Sequence, residues 1–364
     1  MQNSSRRDAL LFLWWPWFVL FCVVVFSALF PAAAKNVGFW ALLGSALLFG
    51  LPHGACDLWA IGQALKNDVE AQSSTRWQRA WRLGKWILAY IGAAIVTLSA
   101  WKFSSAWALL GFLLLSVWHF GSADAWLHRL NSGIAPTTNA PNERTRLAFF
   151  ALSWGRGLLV ISAPLALQPR ATQEILGAFA RLSGAPADIA VLWTIAPFLL
   201  LSGAALQLLV CFLLRSDSTE NSPTSARSLV GSGALWLETL WLLILFAVAP
   251  PLLAVSCYFI GLHSWRHVLR LELFADSDAP QKARDWRSDM RDSLVFARRA
   301  VVQQHRHGLL LGIASLLGLV PILLWWPSLL GDVSRWNTAY LVLISAVTVP
   351  HATVIAWLEA RHNL

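Results

Sequence analysis

Charged side chains are scarce in this chain. Lys, Arg, Asp and Glu make up 13% of the 364 residues, whereas 57% of the residues are hydrophobic. That charged fraction is about half of what an ordinary soluble domain carries, so the composition argues against a soluble protein. Cysteine is also rare: Cys22, Cys56, Cys211 and Cys257 all fall inside apolar segments, and none has a CxxC partner. The sequence therefore implies no disulfide framework.

Long apolar runs take the place of charge. Several exceed the roughly 18 to 20 residues that cross a bilayer, and we predict about ten transmembrane helices. The fold class is therefore all-α, a polytopic helical bundle that forms a single integral membrane domain over residues 1–364. The first run is too long for the hydrophobic part of a signal peptide, so we expect the first helix to stay uncleaved. The predicted helices lie near 11–31, 38–63, 85–104, 106–127, 147–167, 189–214, 229–249, 251–271, 308–327 and 337–359.

The net charge of +9 could indicate a nucleic-acid partner, but the distribution of basic residues argues against one. With the amino terminus in the cytoplasm, most Lys and Arg residues fall on the inner side, as the positive-inside rule requires. This asymmetry predicts that both termini are cytoplasmic in a multi-pass protein of the cell membrane, which in a bacterium is the inner membrane. The basic surface then faces anionic lipid headgroups. The predicted outer side carries Lys35, Arg170, Arg181 and Arg335.

Residues 280–306 differ from the other polar linkers. Apolar residues, among them Trp286 and Phe296, alternate there with arginines and aspartates. This pattern predicts a cytoplasmic amphipathic helix that lies on the inner membrane surface. His305 and His307 form an HxH pair at the end of this segment, but the neighbouring Arg298, Arg299 and Arg306 favour a solvated face over a metal site.

Five histidines, in contrast, lie inside predicted membrane helices and at nearly the same depth. Lipid is a poor environment for an imidazole, so such a layer indicates a buried metal site. His263 and His267 are four residues apart and share a helix face, which suits two ligands of one metal. A single membrane histidine is as often a packing residue, so the prediction rests on the whole layer. The layer consists of His53, His119, His263, His267 and His351.

A proline precedes two of these histidines, and a charged layer follows them one turn nearer the cytoplasm. Pro52 and Pro350 each remove a helical hydrogen bond, which fits a widened cavity, although helix packing explains prolines as well. Charges at this depth should face inward and pair. Asp57 shares the face of His53, and carboxylates commonly orient imidazoles that bind metal. The charged layer consists of Asp57, Asp124, Arg266 and Arg270, with Arg156 and Glu238 predicted as a separate pair.

Ligand type alone does not choose the metal, since imidazoles suit Fe, Cu, Zn or Ni. The HxxxH pair is shared with membrane di-iron desaturases, but their HxxHH boxes are absent. A bis-histidine haem carrier would need histidine pairs at two depths, or one pair alone. A single layer of five histidines fits that alternative less well. An ion or proton transporter often shows inverted repeats. The layer lies instead on helices that all run inward, which disfavours that symmetry.

Four motifs resemble those of the Brp/Blh family of membrane β-carotene 15,15′-dioxygenases, in the family's order. They are GLPHGACD at 50–57, WHFGSAD at 118–124, YFIGLHSWRH at 258–267 and VPHATVIAWLEAR at 349–361. The resemblance implies a non-haem Fe(II) enzyme that cleaves the central double bond of β-carotene with O₂, giving two retinal molecules. It also implies a substrate dissolved in the bilayer and a functional link to a retinal-binding rhodopsin.

The resemblance implies that the iron ligands are His53, His119, His263 and His267. His351, Asp57, Asp124 and Arg266 are then expected around those ligands or in the cavity. Trp118, Tyr258 and Trp265 are expected as walls of the substrate cavity, with plain helix packing as the alternative for the tryptophans.

Overall fold

A computed structural model of the protein describes residues 14–66, 75–131, 143–184, 189–215, 225–275, 290–331 and 336–361. These residues are almost entirely helical and include no strand, so the prediction of an all-α fold is confirmed. The helices are α1 (Trp15–Leu29), α2 (Pro31–Ser45), α3 (Leu51–Lys66), α4 (Arg76–Phe103), α5 (Ser105–Asn131), α6 (Glu143–Leu167), α7 (Pro169–Ala180), α8 (Val191–Arg215), α9 (Ser225–Val248), α10 (Pro251–Tyr258), α11 (Trp265–Ala275), α12 (Met290–Ser315), α13 (Leu319–Trp325) and α14 (Trp336–Arg361). The π-helical turns Ala46–Gly50 and Phe259–Ser264 join α2 to α3 and α10 to α11.

Six helical segments of the described chain are long and apolar enough to cross a membrane. Large apolar side chains on them are widely exposed, Phe103 at 82% and Phe212 at 71%, as lipid-facing residues should be. The protein therefore has the character of a multi-pass membrane protein, while the count of about ten crossings and their direction stay predictions. The six segments are Pro31–Leu65, Ala80–Phe103, Ser105–Ala125, Arg146–Leu167, Val191–Leu213 and Trp336–Ala360.

Helix α12 corrects the prediction for the carboxyl-terminal third. A surface helix over 280–306 and a separate span over 308–327 were expected, but one helix runs from Met290 to Ser315, and 280–289 lie outside the described residues. The reason is tertiary packing on α3. A Cβ on Gly308 would overlap the carbonyl oxygen of Pro52, and the amide of the buried Gln304 donates to the carbonyl of Phe49 at 3.4 Å. These contacts continue the helix through its polar middle.

The two histidines of the HxH pair are half-buried, which differs from the predicted solvated face. The ring of His307 stacks on Trp59 with a centroid distance of 5.4 Å, and His305 meets Phe49 edge-on at 6.1 Å. Their imidazoles therefore serve packing between α12 and the preceding part of the same unit. The neighbouring Arg298, Arg299 and Arg306 are exposed, as expected.

Helix α7 was not predicted from the sequence. Pro169 occupies its first turn, where the missing N–H is harmless. The side chain of Gln168 donates to the carbonyl oxygens of Phe246 (2.8 Å) and Ala249 (2.7 Å), which fixes the chain where the helix begins.

Contacts between residues divide the chain into two compact units. The first is formed mainly by Phe39–Ser104 and Phe259–His362, and its core joins α3 to α14 through Ile61, Ile355 and neighbouring residues. The second is formed mainly by Trp17–Gly38 and Ser105–Tyr258. The single domain over 1–364 stays a prediction.

Small residues set the spacing of helices in the second unit. A Cβ on Gly121 of α5 would overlap the backbone of Ser153 on α6, and one on Gly157 of α6 would overlap the backbone of Val117. Such close approach of backbones is typical of helix pairs in membranes, where small residues allow tight van der Waals packing. Gly121 belongs to the WHFGSAD motif, so part of that motif serves helix packing.

Candidate metal centre

Four of the five layer histidines gather in the first unit, and all four are buried. The ring centroid of His53 lies 3.9 Å from that of His267, 4.7 Å from that of His351 and 5.6 Å from that of His263. The rings of His267 and His351 are 5.2 Å apart. His53 on α3 is therefore the centre of a cluster to which α11, α14 and a π-helical turn contribute.

Both π-helical turns lie beside histidines of this cluster. Phe259–Ser264 contains His263, and Ala46–Gly50 ends just before Pro52 and His53. Proline lacks the N–H that an α-helix needs, which favours an irregular turn before Pro52. Short π-helical insertions occur frequently at functional sites because they alter the direction of the following side chains. The rings of His263 and His267 are 6.4 Å apart and nearly parallel, at 19°.

The carboxylate of Asp57 holds His351. Nδ1 of His351 lies 2.9 Å from Oδ1 and 2.8 Å from Oδ2 of Asp57, and both residues are buried. The hydroxyl of Tyr90 donates to the carbonyl oxygen of Val347 at 3.2 Å and also lies near this carboxylate. Nε2 of His351 points the other way and lies 3.1 Å from Nε2 of His53. The sequence associated Asp57 with the face of His53, and the structure gives it His351 as a partner.

The cluster fits a metal ion by its donor atoms and by an unsatisfied imidazole. One ligand atom each from Asp57, His267 and His351 lie within 4.8 Å of one another. Within the part of the chain that the structure describes, neither ring nitrogen of the buried His267 has a hydrogen-bond partner. Buried polar atoms nearly always have a partner, and the one nitrogen of a neutral His267 that carries a lone pair fits a bound cation. Nδ1 of His53 lies 3.4 Å from the hydroxyl of Ser264, which can orient that ring.

His119, the fifth histidine of the layer, belongs to the second unit. It lies on α5, and its side chain is buried. Trp118 beside it is half-buried, as is Trp265 on α11. The assignment of His119 as a ligand, and of both tryptophans to a cavity, stays a prediction.

The second unit contains a buried network of charges. Arg156 lies between two carboxylates: its Nε is 3.4 Å from Oδ2 of Asp124, and its guanidinium also donates to Glu238. The indole of Trp17 donates to Glu238 at 3.0 Å, and the hydroxyl of Tyr258 donates to Asp124 at 3.3 Å. The predicted pair of Arg156 and Glu238 is confirmed. Asp124 and Tyr258 take part in the same network, and their proposed places beside a metal or substrate stay predictions.

Arg266 and Arg270 are both buried in the first unit. Arg270 pairs with Glu359 of α14, which confirms that a charge at this depth finds a partner. Sequence reasoning had not singled out Glu359, Tyr90 or Ser264. Glu359 and Ser264 lie inside the quoted motifs, but one sequence shows no signal that assigns them a partner.

Comparisons with known proteins agree with the motifs. The sequence profile of the family described as β-carotene 15,15′-dioxygenase matches residues 45–359. A protein of Halobacterium salinarum named probable β-carotene 15,15′-dioxygenase Blh is 29% identical over 335 residues, 87% of this chain and 83% of its own length. A β-carotene 15,15′-dioxygenase of the uncultured marine bacterium 66A03 is 28% identical over 228 residues, 63% of this chain and 67% of its own length. No solved structure matches the chain.

Proposed function

The chain belongs to the β-carotene 15,15′-dioxygenase family, and we propose that it carries out this cleavage inside the bilayer as an iron(II) enzyme. Its substrate is β-carotene or a close carotenoid, and its products from the central 15,15′ double bond and O₂ are two retinal molecules. The observation that carries the proposal is the family match over residues 45–359, which includes every histidine of the layer.

The first unit would hold the iron through His53, His263 and His267, and the resemblance adds His119. The ring nitrogens of His267, which have no hydrogen-bond partner in the described part of the chain, support this assignment. Iron, when bound, supplies the chemistry of O₂ that side chains alone lack. Neutral imidazoles add no negative charge, and they are acceptable ligands for Fe(II) at a depth where water is scarce.

The protein itself orients the substrate and excludes water from the site. All four clustered histidines are at most 4% exposed, so bulk water is kept from the reacting bond. The substrate dissolves in the membrane and reaches the site from lipid. Trp118, Tyr258 and Trp265 are proposed to keep the polyene in register, so that its central bond meets the oxygen. That is catalysis by orientation rather than by acid and base.

We place the protein in the cell membrane, with about ten crossings and both termini in the cytoplasm. The six long apolar segments support a multi-pass arrangement. Supply of retinal to a rhodopsin is part of the proposal and follows from the resemblance.

Expression in cells that accumulate β-carotene tests the function. Retinal measured by chromatography should rise as carotene falls, and a His267→Ala variant expressed at the same level should leave carotene intact. Carotene that persists beside the unaltered protein would count against the enzyme. The purified protein should contain iron without a Soret band; a Soret band would indicate a haem carrier instead.

A further inference from the structure

His351 stands apart from the ligands that the resemblance assigns, yet it lies inside the cluster. We propose that His351 is itself a ligand of the metal, together with His53 and His267, and that Asp57 is the positioning residue that aims it. The inference rests on the proposed function, because it presupposes a metal in the first unit.

The contact with Asp57 fixes which nitrogen of His351 can bind. A carboxylate accepts hydrogen bonds, so Nδ1, at 2.8 and 2.9 Å from its two oxygens, carries the proton. Nε2 is then left with a lone pair that points toward His53. Metal-binding histidines commonly show this arrangement, with a carboxylate on one nitrogen and the metal on the other. Asp57 is itself one of the donors within 4.8 Å of His267 and His351, but when His351 binds through Nε2, the carboxylate acts on the metal through that ring.

The separation of the two Nε2 atoms fits a shared ion. Imidazole nitrogens bind divalent metals such as zinc at about 2.0 to 2.1 Å, so two ligands at a right angle are roughly 3 Å apart. Nε2 of His53 and Nε2 of His351 are 3.1 Å apart. A direct N–H···N hydrogen bond would give a similar distance and is the competing explanation. His267 favours the metal, because its ring lies 3.9 Å from that of His53 and 5.2 Å from that of His351, and its nitrogens lack a partner in the described chain.

The surroundings of Asp57 support a fixed position and a nearby cation. Asp57 is fully buried, follows His53 by one turn of α3 and lies near the hydroxyl of Tyr90 of α4. A carboxylate buried at membrane depth is costly unless positive charge compensates it. A divalent ion on Nε2 of His351 would supply that charge through the ring.

Titration of cobalt(II) into metal-free protein in detergent tests the inference without turnover. Cobalt(II) reports its coordination through visible d–d bands, and metal content gives an independent measure. We expect Asp57→Asn to lower the affinity for cobalt about 10- to 100-fold, the usual effect of removing such a partner. His351→Ala should lower it further and change the d–d bands, and His351→Gln, which preserves most of the volume, should do the same. His305→Ala, a half-buried imidazole outside the cluster, serves as the control and should leave both unchanged.

The remaining outcomes distinguish a failure of the inference about His351 from a failure of the proposed function. Cobalt bound by His351→Gln with the unaltered affinity and bands would overturn the inference and make the contact with His53 a plain hydrogen bond. If that happens while the unaltered protein still binds metal and forms retinal, the proposed function stands and only the role of His351 fails. An unaltered protein that binds no cobalt and no iron(II) would contradict both.

Discussion

The two units each contain a buried polar cluster, and the two clusters differ in the chemical groups that are in contact. In the second unit Arg156 lies between Asp124 and Glu238, so positive charge meets negative charge within the protein. In the first unit nitrogen faces nitrogen: Nε2 of His53 lies 3.1 Å from Nε2 of His351. The opposite charges of the second cluster compensate one another, although Nε and Nη1 of Arg156 have no hydrogen-bond partner among the described residues. The first cluster offers imidazole nitrogens instead, the donor type that binds a metal ion. What distinguishes a candidate metal site from a buried ion pair is therefore the type of donor atom and not burial alone.

Loss of His267 should have the largest effect and would sharpen this contrast. His267→Ala removes the imidazole whose nitrogens have no hydrogen-bond partner among the described residues, so we expect bound iron and retinal formation to be abolished. Metal content and chromatography of retinal are the measurements. His305→Ala should retain both. Equal losses of iron and retinal in the two variants would mean that metal binding does not depend on the cluster more than on other histidines of the first unit.

Loss of Arg156 should act on stability rather than on metal. Arg156→Met leaves Asp124 and Glu238 as buried carboxylates without their cation, and such a change costs about 3–5 kcal/mol. Thermal unfolding in detergent should show the loss, and Arg156→Met combined with Glu238→Gln should recover part of it. Cobalt affinity of the folded fraction should be unaltered. A folded Arg156→Met protein of normal stability that binds no metal would reverse the roles given to the two clusters.

Gly308 tests whether α12 positions His53. A Cβ on Gly308 would overlap the Pro52 carbonyl oxygen and lie 3.0 Å from Sγ of Cys56, so Gly308→Ala must displace α3 or α12. Overpacking of this kind costs about 1–3 kcal/mol. Because Pro52 precedes His53, cobalt affinity should fall as well. Gly62→Ala is the matched control, since nothing lies within 4 Å of its Cβ. Unchanged affinity in Gly308→Ala would show that α12 only covers α3.

Sequence reasoning went furthest where a local pattern has one physical cause. Apolar runs long enough to cross a bilayer predicted the all-α fold. The cost of burying a single charge predicted that Arg156 pairs with Glu238 and that Arg270 has a partner, and both are observed. It failed where neither charge nor predicted depth identifies the partner. No local sequence pattern indicates that Asp57 is hydrogen-bonded to His351, nearly three hundred residues away. The continuous α12 was missed for the same reason, because Gly308 is explained only by Pro52.

The smallest effect is expected at Thr75, an exposed residue at the amino-terminal end of α4. Thr75 caps α4: its hydroxyl accepts from the backbone N–H of Gln78 at 3.3 Å, and the side chain of Gln78 accepts from the backbone N–H of Thr75 at 2.9 Å. Thr75→Ala removes one half of this capping box and should cost about 1 kcal/mol, while Thr75→Ser should retain the cap. Thermal unfolding measures the cost, and cobalt affinity should be the same in all three proteins. A change in affinity would show that α4, which contributes Tyr90 to Asp57, transmits strain from its amino-terminal end to the metal centre.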